Sequence, residues 1–334
     1  MRSRLGIIAL ALLVLATIAC GDDDGTVTLT VYSGRSQDLV DPLFEQFTAE
    51  TGIELEVRYA GSTDLAATLR EEGGNSPADV FFAQDPASLG AVAEAGLFAT
   101  LPADLLAQVP ELFSDAEGRW IGTSGRARVV VYDSTRLSPG DLPDDIFGFT
   151  APEWRGRVGI APGNGSFLAF VAAMIVMEGE DVTREWLEGL AANEPGRYEK
   201  NSPIVAAVDA GEIETGLVNH YYLLRLQAEQ GATAAANHFL ASGGPGSLVM
   251  PAGAGILATS DSTEAAQQFI RFLLSSQAQT YFALETFEYP LAIGFPTVAG
   301  LVPIDELGAP TLDLSALAAA LDRATDLVAE AGLL

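Results

Sequence analysis

Two tyrosines stand side by side in the stretch Asn219-His220-Tyr221-Tyr222, next to one of only two histidines in the chain. Neighbouring side chains point to opposite faces of a strand and diverge by about 100° on a helix. Two adjacent phenols therefore converge only where the backbone is irregular, for example where a strand turns into a helix. The sequence predicts such a junction between residues 217–218 and 223–226. The pair could be packing material, with one ring in the core and one at the surface, or could hold a hard cation through phenolate oxygens.

Catalytic chemistry has little support in the sequence. It contains no Gly-x-Ser-x-Gly motif, no His-Glu-x-x-His motif and no phosphate-binding loop with its lysine. His220 and His238 do not form a His-x-x-x-His pair. His220 could be a ligand beside the tyrosines, but we interpret it as a support residue or a packed polar group. We therefore do not expect an enzyme. The 45 acidic side chains leave an exported, carboxylate-dependent hydrolase open as an alternative.

Hydrophobic periodicity predicts strands that alternate with helices. Strand patterns cover residues 26–32, 53–59, 79–82, 128–132, 158–160, 212–218, 247–250 and 255–258, and helix patterns cover 39–51, 63–72, 167–177, 184–191, 204–210, 263–275 and 315–331. Gly52 is expected to cap the first helix. This alternation indicates an α/β fold whose mostly parallel sheets are covered by helices on both faces. No long linker divides the chain, so we expect two lobes between which the chain crosses more than once.

The N-terminal residues are expected to direct export and membrane attachment. Arg2 and Arg4 precede an apolar run of 14 residues, which is shorter than the about 20 residues that a membrane-spanning helix needs. The run ends before Cys20, the only cysteine, in a sequence that resembles a bacterial lipobox. We expect residues 1–19 to be a signal peptide, Cys20 to be lipidated, and residues 20–26 to form a tether. A plain secretory peptide is the alternative.

The charge of the chain excludes another class of partner. Removing residues 1–19 takes away two arginines and changes the net charge from −28 to −30. Such an acidic surface repels nucleic acid, so a DNA- or RNA-binding role is not expected.

From residue 31 to residue 332 the sequence resembles the periplasmic ferric-iron-binding proteins of bacterial ABC transporters. The matching segments are VYSGR at 31–35, TGIELEV at 51–57, SPADVFFAQD at 76–85, EAGLF at 94–98, SGRARVVVYD at 124–133, WRGRVGIAP with NGSF within 154–167, KNSPIVAAVDAGEIETGLVNHYY at 200–222, PGSLV at 245–249 and EYPL at 288–291. The resemblance implies a bilobed fold of the type II periplasmic-binding-protein class. Its two Rossmann-like lobes would have mixed, mainly parallel sheets joined by crossover hinge strands.

The resemblance also implies a function and a division of the chain. Lobe 1 would comprise residues 27–126 and 250–300, and lobe 2 residues 127–249 and 301–334. The protein would capture Fe(III) with a synergistic anion in the cleft between the lobes and deliver it to an ABC transporter permease after hinge closure. We expect a monomer, anchored to the outer face of the cytoplasmic membrane or periplasmic. A receptor for an organic or phosphorylated anion is the alternative.

The family binds Fe(III) through adjacent tyrosines, and Tyr221 and Tyr222 match those positions. Fe(III) is a small, hard cation that prefers anionic oxygen ligands. A free phenol has a pKa of about 10. A bound trivalent ion lowers that pKa enough to give phenolate at neutral pH. The resemblance therefore implies that both phenols are metal ligands.

The chain departs from the family at three other metal-binding positions. Ser36 stands where many members have histidine, and Gln84, followed by Asp85, stands where a glutamate is common. Phe167 stands where one branch has a third tyrosine. Two phenolates fill only part of an octahedral shell, so we expect Gln84 or Asp85, water or an exogenous anion to supply the rest.

A second set of residues is expected to hold that anion, carbonate or phosphate. These residues are Asn164, Gly165, Ser166, Asn201, Asn219, Arg35 and Arg126. Residues 164–166 precede a predicted helix, whose free N–H groups attract anions. The resemblance adds the two further asparagines, and it brings the arginines to the cleft, where they could pair with the anion. An ordinary helix cap at 164–166 and structural ion pairs for the arginines are the alternatives.

Overall fold

A computed structural model describes residues 27–241, 243–296, 301–310 and 312–334. The predicted signal peptide, Cys20 and the whole of the predicted tether lie outside these residues. The strands are β1 (Thr28–Ser33), β2 (Glu54–Tyr59), β3 (Val80–Ala83), β4 (Ile121–Asp133), β5 (Val158–Ile160), β6 (Gly196–Arg197), β7 (Thr215–Asn219), β8 (Ala235–His238), β9 (Val249–Ile256) and β10 (Tyr289–Pro290). The α-helices are α1 (Gln37–Thr51), α2 (Ser62–Glu72), α3 (Pro86–Glu94), α4 (Ala103–Leu106), α5 (Gly165–Glu178), α6 (Glu180–Ala192), α7 (Asn201–Asp209), α8 (Tyr221–Gln230), α9 (Thr263–Leu273), α10 (Ser276–Leu284) and α11 (Leu317–Glu330). Within the described ranges, every helix is too short or too polar to cross a membrane.

The strands form a mixed sheet in the order β2-β1-β3-β9-β4-β7-β5-β6, with β8 and β10 also paired to β4. Both flanks are parallel: β1 pairs with β2 and β3, and β5 pairs with β6 and β7. The centre is antiparallel, because β9 and β4 run against their neighbours. The parallel flanks arise from strand–helix–strand units, as the alternating pattern predicted. The α/β class is therefore confirmed.

Strand β4 connects the two flanks. Its residues 121–127 pair with β9, and residues 124–125 also pair with β10. Beyond the Ala127–Arg128 bond, residues 128–132 pair with β7 and residues 130–133 with β8. All thirteen residues of the strand are buried. The change of partners falls beside the predicted boundary at residues 126/127, and the division into lobes stays a prediction.

The helices cover the sheet with separate apolar clusters. One cluster joins β1, β3 and β9 to α1, α9 and α10, and includes the edge-to-face rings of Phe47 and Phe269 at 5.1 Å. A second joins α2 and α3 to α5, α6 and α11. A third packs α7 against β4 and β7. Each fully buried large side chain contributes roughly 1.5–3 kcal/mol, so these faces fix where the strand ends lie.

The boundaries of most elements follow local sequence signals. Helix α1 ends at Gly52, which has φ 72° and donates its N–H to the Thr48 carbonyl, as predicted for a C-cap. The predicted strand at 158–160 is confirmed as β5. The predicted helix at 263–275 is confirmed as α9, which ends at Leu273. Ser275 then caps the next helix, α10, by accepting from the Ala278 N–H.

One prediction about strands was wrong. The sequence Pro251-Ala252-Gly253-Ala254 was expected to separate two strands, but β9 runs through it without interruption. Its glycines serve close packing rather than a turn. A Cβ on Gly253 would lie 2.6 Å from the Ile121 carbonyl oxygen, and one on Gly255 would lie 2.6 Å from the Phe98 ring.

Candidate metal and anion site

The tyrosine pair lies at the predicted junction of a strand and a helix. Strand β7 ends at Asn219, His220 has helical backbone angles, and α8 starts at Tyr221. The rings of Tyr221 and Tyr222 are stacked, with centroids 4.2 Å apart and an angle of 29° between planes. Tyr221 is buried and Tyr222 is half-buried. The junction of β7 and α8 therefore carries two adjacent phenols whose rings lie together.

Electrostatics keep the buried phenol neutral in the protein alone. Burial raises the pKa of Tyr221 well above its ordinary value, and negative charge on Tyr222 or Glu288 raises it further. The Arg126 guanidinium acts in the opposite direction. A bound cation supplies the positive charge that ionisation of this phenol requires.

A buried ion pair lies beside the phenols. The Arg35 Nη2 donates to Glu288 Oε1 at 2.6 Å, and the two side chains are 2% and 1% exposed. The Ser124 hydroxyl donates to the other oxygen of Glu288. Burial opposes ionisation of Glu288, but the Arg35 and Arg126 charges outweigh it and lower the pKa of this carboxyl. Within the described ranges, the buried Nε and Nη1 of Arg35 have no hydrogen-bond partner.

Two further arginines project from β4. Arg126 is 2% exposed, and its Nε and Nη1 have no hydrogen-bond partner in the described part of the chain. Arg128 is 4% exposed, donates to Asn219 Oδ1 at 3.3 Å, and lies 4.8 Å from the Phe170 ring centroid. Burial lowers the pKa of Arg128 to about 10, while phenolate charge on the tyrosine pair would raise it. The buried positive charge therefore faces the phenols.

The predicted anion-binding residues of the second flank form a hydrogen-bonded cluster. Asn164 caps α5, and its Oδ1 accepts from the Ser166 N–H at 3.0 Å and the Ser166 hydroxyl at 2.7 Å. Gly165 is the first residue of that helix. Asn201, 1% exposed, donates to Ser166 Oγ at 3.1 Å, and its Oδ1 has no partner among the described residues. The helix-cap interpretation thus describes Asn164 itself, whereas the Asn201 Oδ1 stays available as an acceptor as far as the described residues show.

The two residues after β3 differ in how they are engaged. The Asp85 carboxylate caps α3: one oxygen accepts from the Ser88 N–H at 2.8 Å and the other from the Ser88 hydroxyl at 3.1 Å. Burial raises the pKa of Asp85, while these hydrogen bonds and the Arg126 charge act to lower it. The Gln84 backbone N–H donates to Ser62 Oγ at 2.8 Å. The Gln84 carboxamide has no hydrogen bond within the described ranges, so it is the less engaged of the two.

Two of the positions where the chain departs from the family pattern, Ser36 and Phe167, offer no buried side-chain oxygen atom that could bind a metal. Ser36 is the exposed N-cap residue of α1. Phe167 is 1% exposed and packs against Trp186, with ring centroids 6.3 Å apart. Within the described residues there is no group of three or more His, Cys, Asp and Glu side chains that could hold a metal.

His220 is engaged at both ring nitrogens, which agrees with a support role. Its Nδ1 accepts from the Ala127 N–H at 3.1 Å, and its Nε2 lies 2.8 Å from the Phe287 carbonyl oxygen, to which it donates. The ring is fully buried and packs 4.7 Å from the Tyr289 ring. Burial lowers the pKa of His220 to about 4, so the imidazole is neutral at physiological pH.

Sequence reasoning missed Glu288, Ser124 and Arg128. A local signal existed for Arg128, because residues two apart on a strand share a face and Arg126 was already a candidate. Glu288 had no local signal, since its partner Arg35 is 253 residues away in the chain.

Comparison with known proteins identifies relatives of the whole chain. The family model described as "Bacterial extracellular solute-binding protein" matches residues 75–310. The "Fe(3+)-binding periplasmic protein" of Serratia marcescens is 34% identical over 99% of this chain and 98% of its own length. Iron-bound HitA from Pseudomonas aeruginosa superposes with a TM-score of 0.86 and 35% identity, over 92% of this chain and all of that one. A Trichodesmium protein solved with iron and citrate ligands has a TM-score of 0.80 and 28% identity, over 92% of this chain and all of that one.

Proposed function

Because the chain belongs to the bacterial extracellular solute-binding protein family, we propose that it is the receptor of an ABC transporter for ferric iron. It captures Fe(III) together with a synergistic anion and delivers the ion to a membrane permease. The observation that carries this proposal is the stacked pair Tyr221 and Tyr222, whose rings lie 4.2 Å apart at a strand end, beside buried guanidinium groups. It binds and releases its solute unchanged, so it is a transport protein rather than an enzyme.

The phenols supply the hard, anionic oxygen ligands that Fe(III) prefers. Gln84 is the better candidate for a further ligand, because its carboxamide has no hydrogen bond among the described residues, whereas both Asp85 oxygens already bind Ser88. An exogenous carbonate or phosphate would complete the shell.

The anion has two sets of donors in this proposal. The Nε and Nη1 atoms of Arg35 and Arg126, which have no partner within the described ranges, are charged donors, and such donors bind oxyanions strongly. Asn219, bonded to Arg128, and the cluster of Asn164, Gly165, Ser166 and Asn201 would face the anion from the other lobe.

Hinge closure brings the two sets of donors together. Residues 27–126 and 250–300 would form one lobe, and residues 127–249 and 301–334 the other. The change of partners along β4 at Ala127–Arg128 supports a hinge at this point. The receptor would act as a monomer outside the cytoplasm, held to the membrane by lipid on Cys20.

A visible charge-transfer band tests the iron site. Adding ferric citrate to the purified protein should give an absorption band from phenolate to Fe(III). Tyr221→Phe and Tyr222→Phe should each weaken this band, whereas Tyr198→Phe, a tyrosine packed near Gly159 and Gly196, should leave it unchanged. No band in the wild type would refute the proposal, and an unaltered band in both site variants would remove the site assignment.

One observation favours a second candidate, a receptor for an organic or phosphorylated anion. Four buried guanidinium nitrogens, two each on Arg35 and Arg126, have no partner in the described part of the chain, and these donors would suit an anion without any metal. A thermal-shift measurement separates the candidates. Stabilisation by phosphate or an organophosphate in metal-free buffer, with no further change on adding Fe(III), would favour the anion receptor.

A further inference from the structure

His220 fills a gap in the ladder along one edge of β4. Strand β10 pairs at Ser124 and Gly125, and β7 pairs from Arg128 onward. Between them, the His220 N–H donates to the Ala127 carbonyl at 3.0 Å, and the Ala127 N–H donates back to the His220 Nδ1 at 3.1 Å. His220 therefore satisfies the backbone N–H and carbonyl of Ala127, as a paired strand would, at the position between β10 and β7.

The opposite side of the imidazole reaches the segment that carries the buried carboxylate. The Nε2–H of His220 donates to the Phe287 carbonyl at 2.8 Å. Phe287 has φ 58°, in the left-handed region that costs a bulky residue about 1–3 kcal/mol and persists only when its surroundings hold it. The next residue is Glu288, which is bonded to Arg35 and Ser124. The His220 side chain thus connects the residue that precedes the phenol pair to Phe287, the residue that precedes Glu288.

The remaining polar groups of His220 allow it little freedom. Its carbonyl accepts from the Asn237 Nδ2 at 2.8 Å, so both backbone groups and both ring nitrogens are bonded. The ring is 0% exposed and packs against Tyr289, the first residue of β10. A shift of the strand end that carries Tyr221 must therefore be accommodated by the segment that holds Glu288.

We propose that His220 is a positioning residue that couples the phenol pair to the Arg35–Glu288 pair, so that metal and anion strengthen each other's binding. This inference rests on the proposed function. Metal at the phenols fixes the strand end, and His220 passes this constraint to Phe287 and Glu288. Glu288 in turn sets the orientation of Arg35, whose Nε and Nη1, without a partner in the described part of the chain, receive the anion. The coupling is reciprocal, as any binding linkage must be.

Two variants each remove one of the two hydrogen bonds of the imidazole and keep the other. His220→Asn places an amide oxygen near the Nδ1 position, so it keeps the acceptor for the Ala127 N–H and loses the donor to Phe287. His220→Gln places an amide nitrogen near the Nε2 position, so it keeps the donor to Phe287 and loses the acceptor. Each variant removes one buried hydrogen bond, so the two form a matched pair with similar expected losses of stability.

The experiment measures how strongly an anion enhances iron binding in the full-length protein. Fe(III) nitrilotriacetate is titrated with and without bicarbonate or inorganic phosphate, and the charge-transfer band reports occupancy. H220N should lower the enhancement about tenfold relative to the wild type, the effect of losing one hydrogen bond, and should shift the band. H220Q should stay within about twofold. If H220N does not fold, Ser124→Ala interrupts the same connection at Glu288 and should lower the enhancement too.

The inference is wrong if the enhancement is unchanged in H220N, or in Ser124→Ala where that variant replaces it. It is also wrong if H220N and H220Q lose the enhancement equally. A wild-type protein with a band but no anion enhancement would also contradict it while leaving the iron site intact. A wild-type protein with no band would refute the proposed function and this inference together.

Discussion

Replacing Glu288 with glutamine should destabilise the protein strongly. The change keeps the shape of the side chain and removes the negative charge 2.6 Å from the Arg35 Nη2. Both side chains are at most 2% exposed, so solvent cannot replace the lost charge. Arg35 already lacks partners for Nε and Nη1 in the described part of the chain. Removing one member of a buried ion pair costs about 3–5 kcal/mol, and we expect a loss in the free energy of unfolding of this size.

Urea unfolding at pH 7, followed by tryptophan fluorescence, measures the loss. The double variant Arg35→Met with Glu288→Gln is the control, because it removes both charges and should recover most of the stability. The direction in which this stabilisation changes with pH is also defined. The pKa of Glu288 is lowered in the folded protein, so its contribution is present above the unfolded pKa of about 4.3 and disappears as the pH falls through the folded value. A loss below about 1 kcal/mol in the single variant, or no recovery in the double variant, would refute this reasoning.

Three further predictions concern other parts of the structure. The pKa of His220 is about 4 in the folded protein and about 6.5 in the unfolded chain. The free energy of unfolding should therefore fall by about 3 kcal/mol as the pH drops from 6.5 to 4. Denaturation measured at a series of pH values should show a weaker pH dependence in H220Q. Asp85→Ala should cost about 1 kcal/mol by removing the cap on Ser88, and a charge-transfer band weakened as much as in the tyrosine variants would contradict a purely structural role. Gly253→Ala should destabilise the protein by at least about 2 kcal/mol, because the new Cβ would clash with a backbone carbonyl. Gly52→Ala should cost only about 1 kcal/mol, because Gly52 has φ 72° but open space around it. Equal losses of stability in calorimetry would contradict this distinction.

The sequence predicted elements well where a single periodicity dominates. Helix α1 was predicted because apolar residues recur at helical spacing before Gly52, and the structure buries them on one face. Prediction failed at β9, where the sequence patterns gave two strands, 247–250 and 255–258, instead of one. In the sheet Gly253 and Gly255 lack side chains because neighbouring backbone and rings approach closely. Such contacts come from tertiary packing and leave no local signal.

The site was predictable only to the extent that it is local in sequence. Tyr221 and Tyr222 lie at a junction that the pattern of neighbouring residues indicated. The pair of Arg35 and Glu288 depends on a contact across 253 residues, which one sequence cannot reveal. The role of Asp85 as a helix cap was also hidden, because the same carboxylate would suit either a cap or a metal ligand.

Charge balance argues that the anion is an integral part of the proposed site. Three guanidinium groups and two carboxylates meet at the site. Arg35 and Arg126 act on Glu288, Arg126 also acts on Asp85, and Arg128 faces the phenols; all three arginines are buried. With neutral phenols the positive charges exceed the negative ones by one. Once Fe(III) binds and both phenols ionise, six positive charges face four negative ones. A buried excess of this size is costly, and water cannot neutralise it.

A dianion such as carbonate or hydrogen phosphate would restore neutrality. The glutamate that is common at position 84 in the family would supply part of this negative charge, and the chain has Gln84 there instead. The loss of that carboxylate therefore shifts the requirement for negative charge from the protein to the anion. It follows that iron binding by this protein should depend strongly on the anion. Gln84→Glu should weaken that dependence, because the new carboxylate would compete with the anion for the same positive charge.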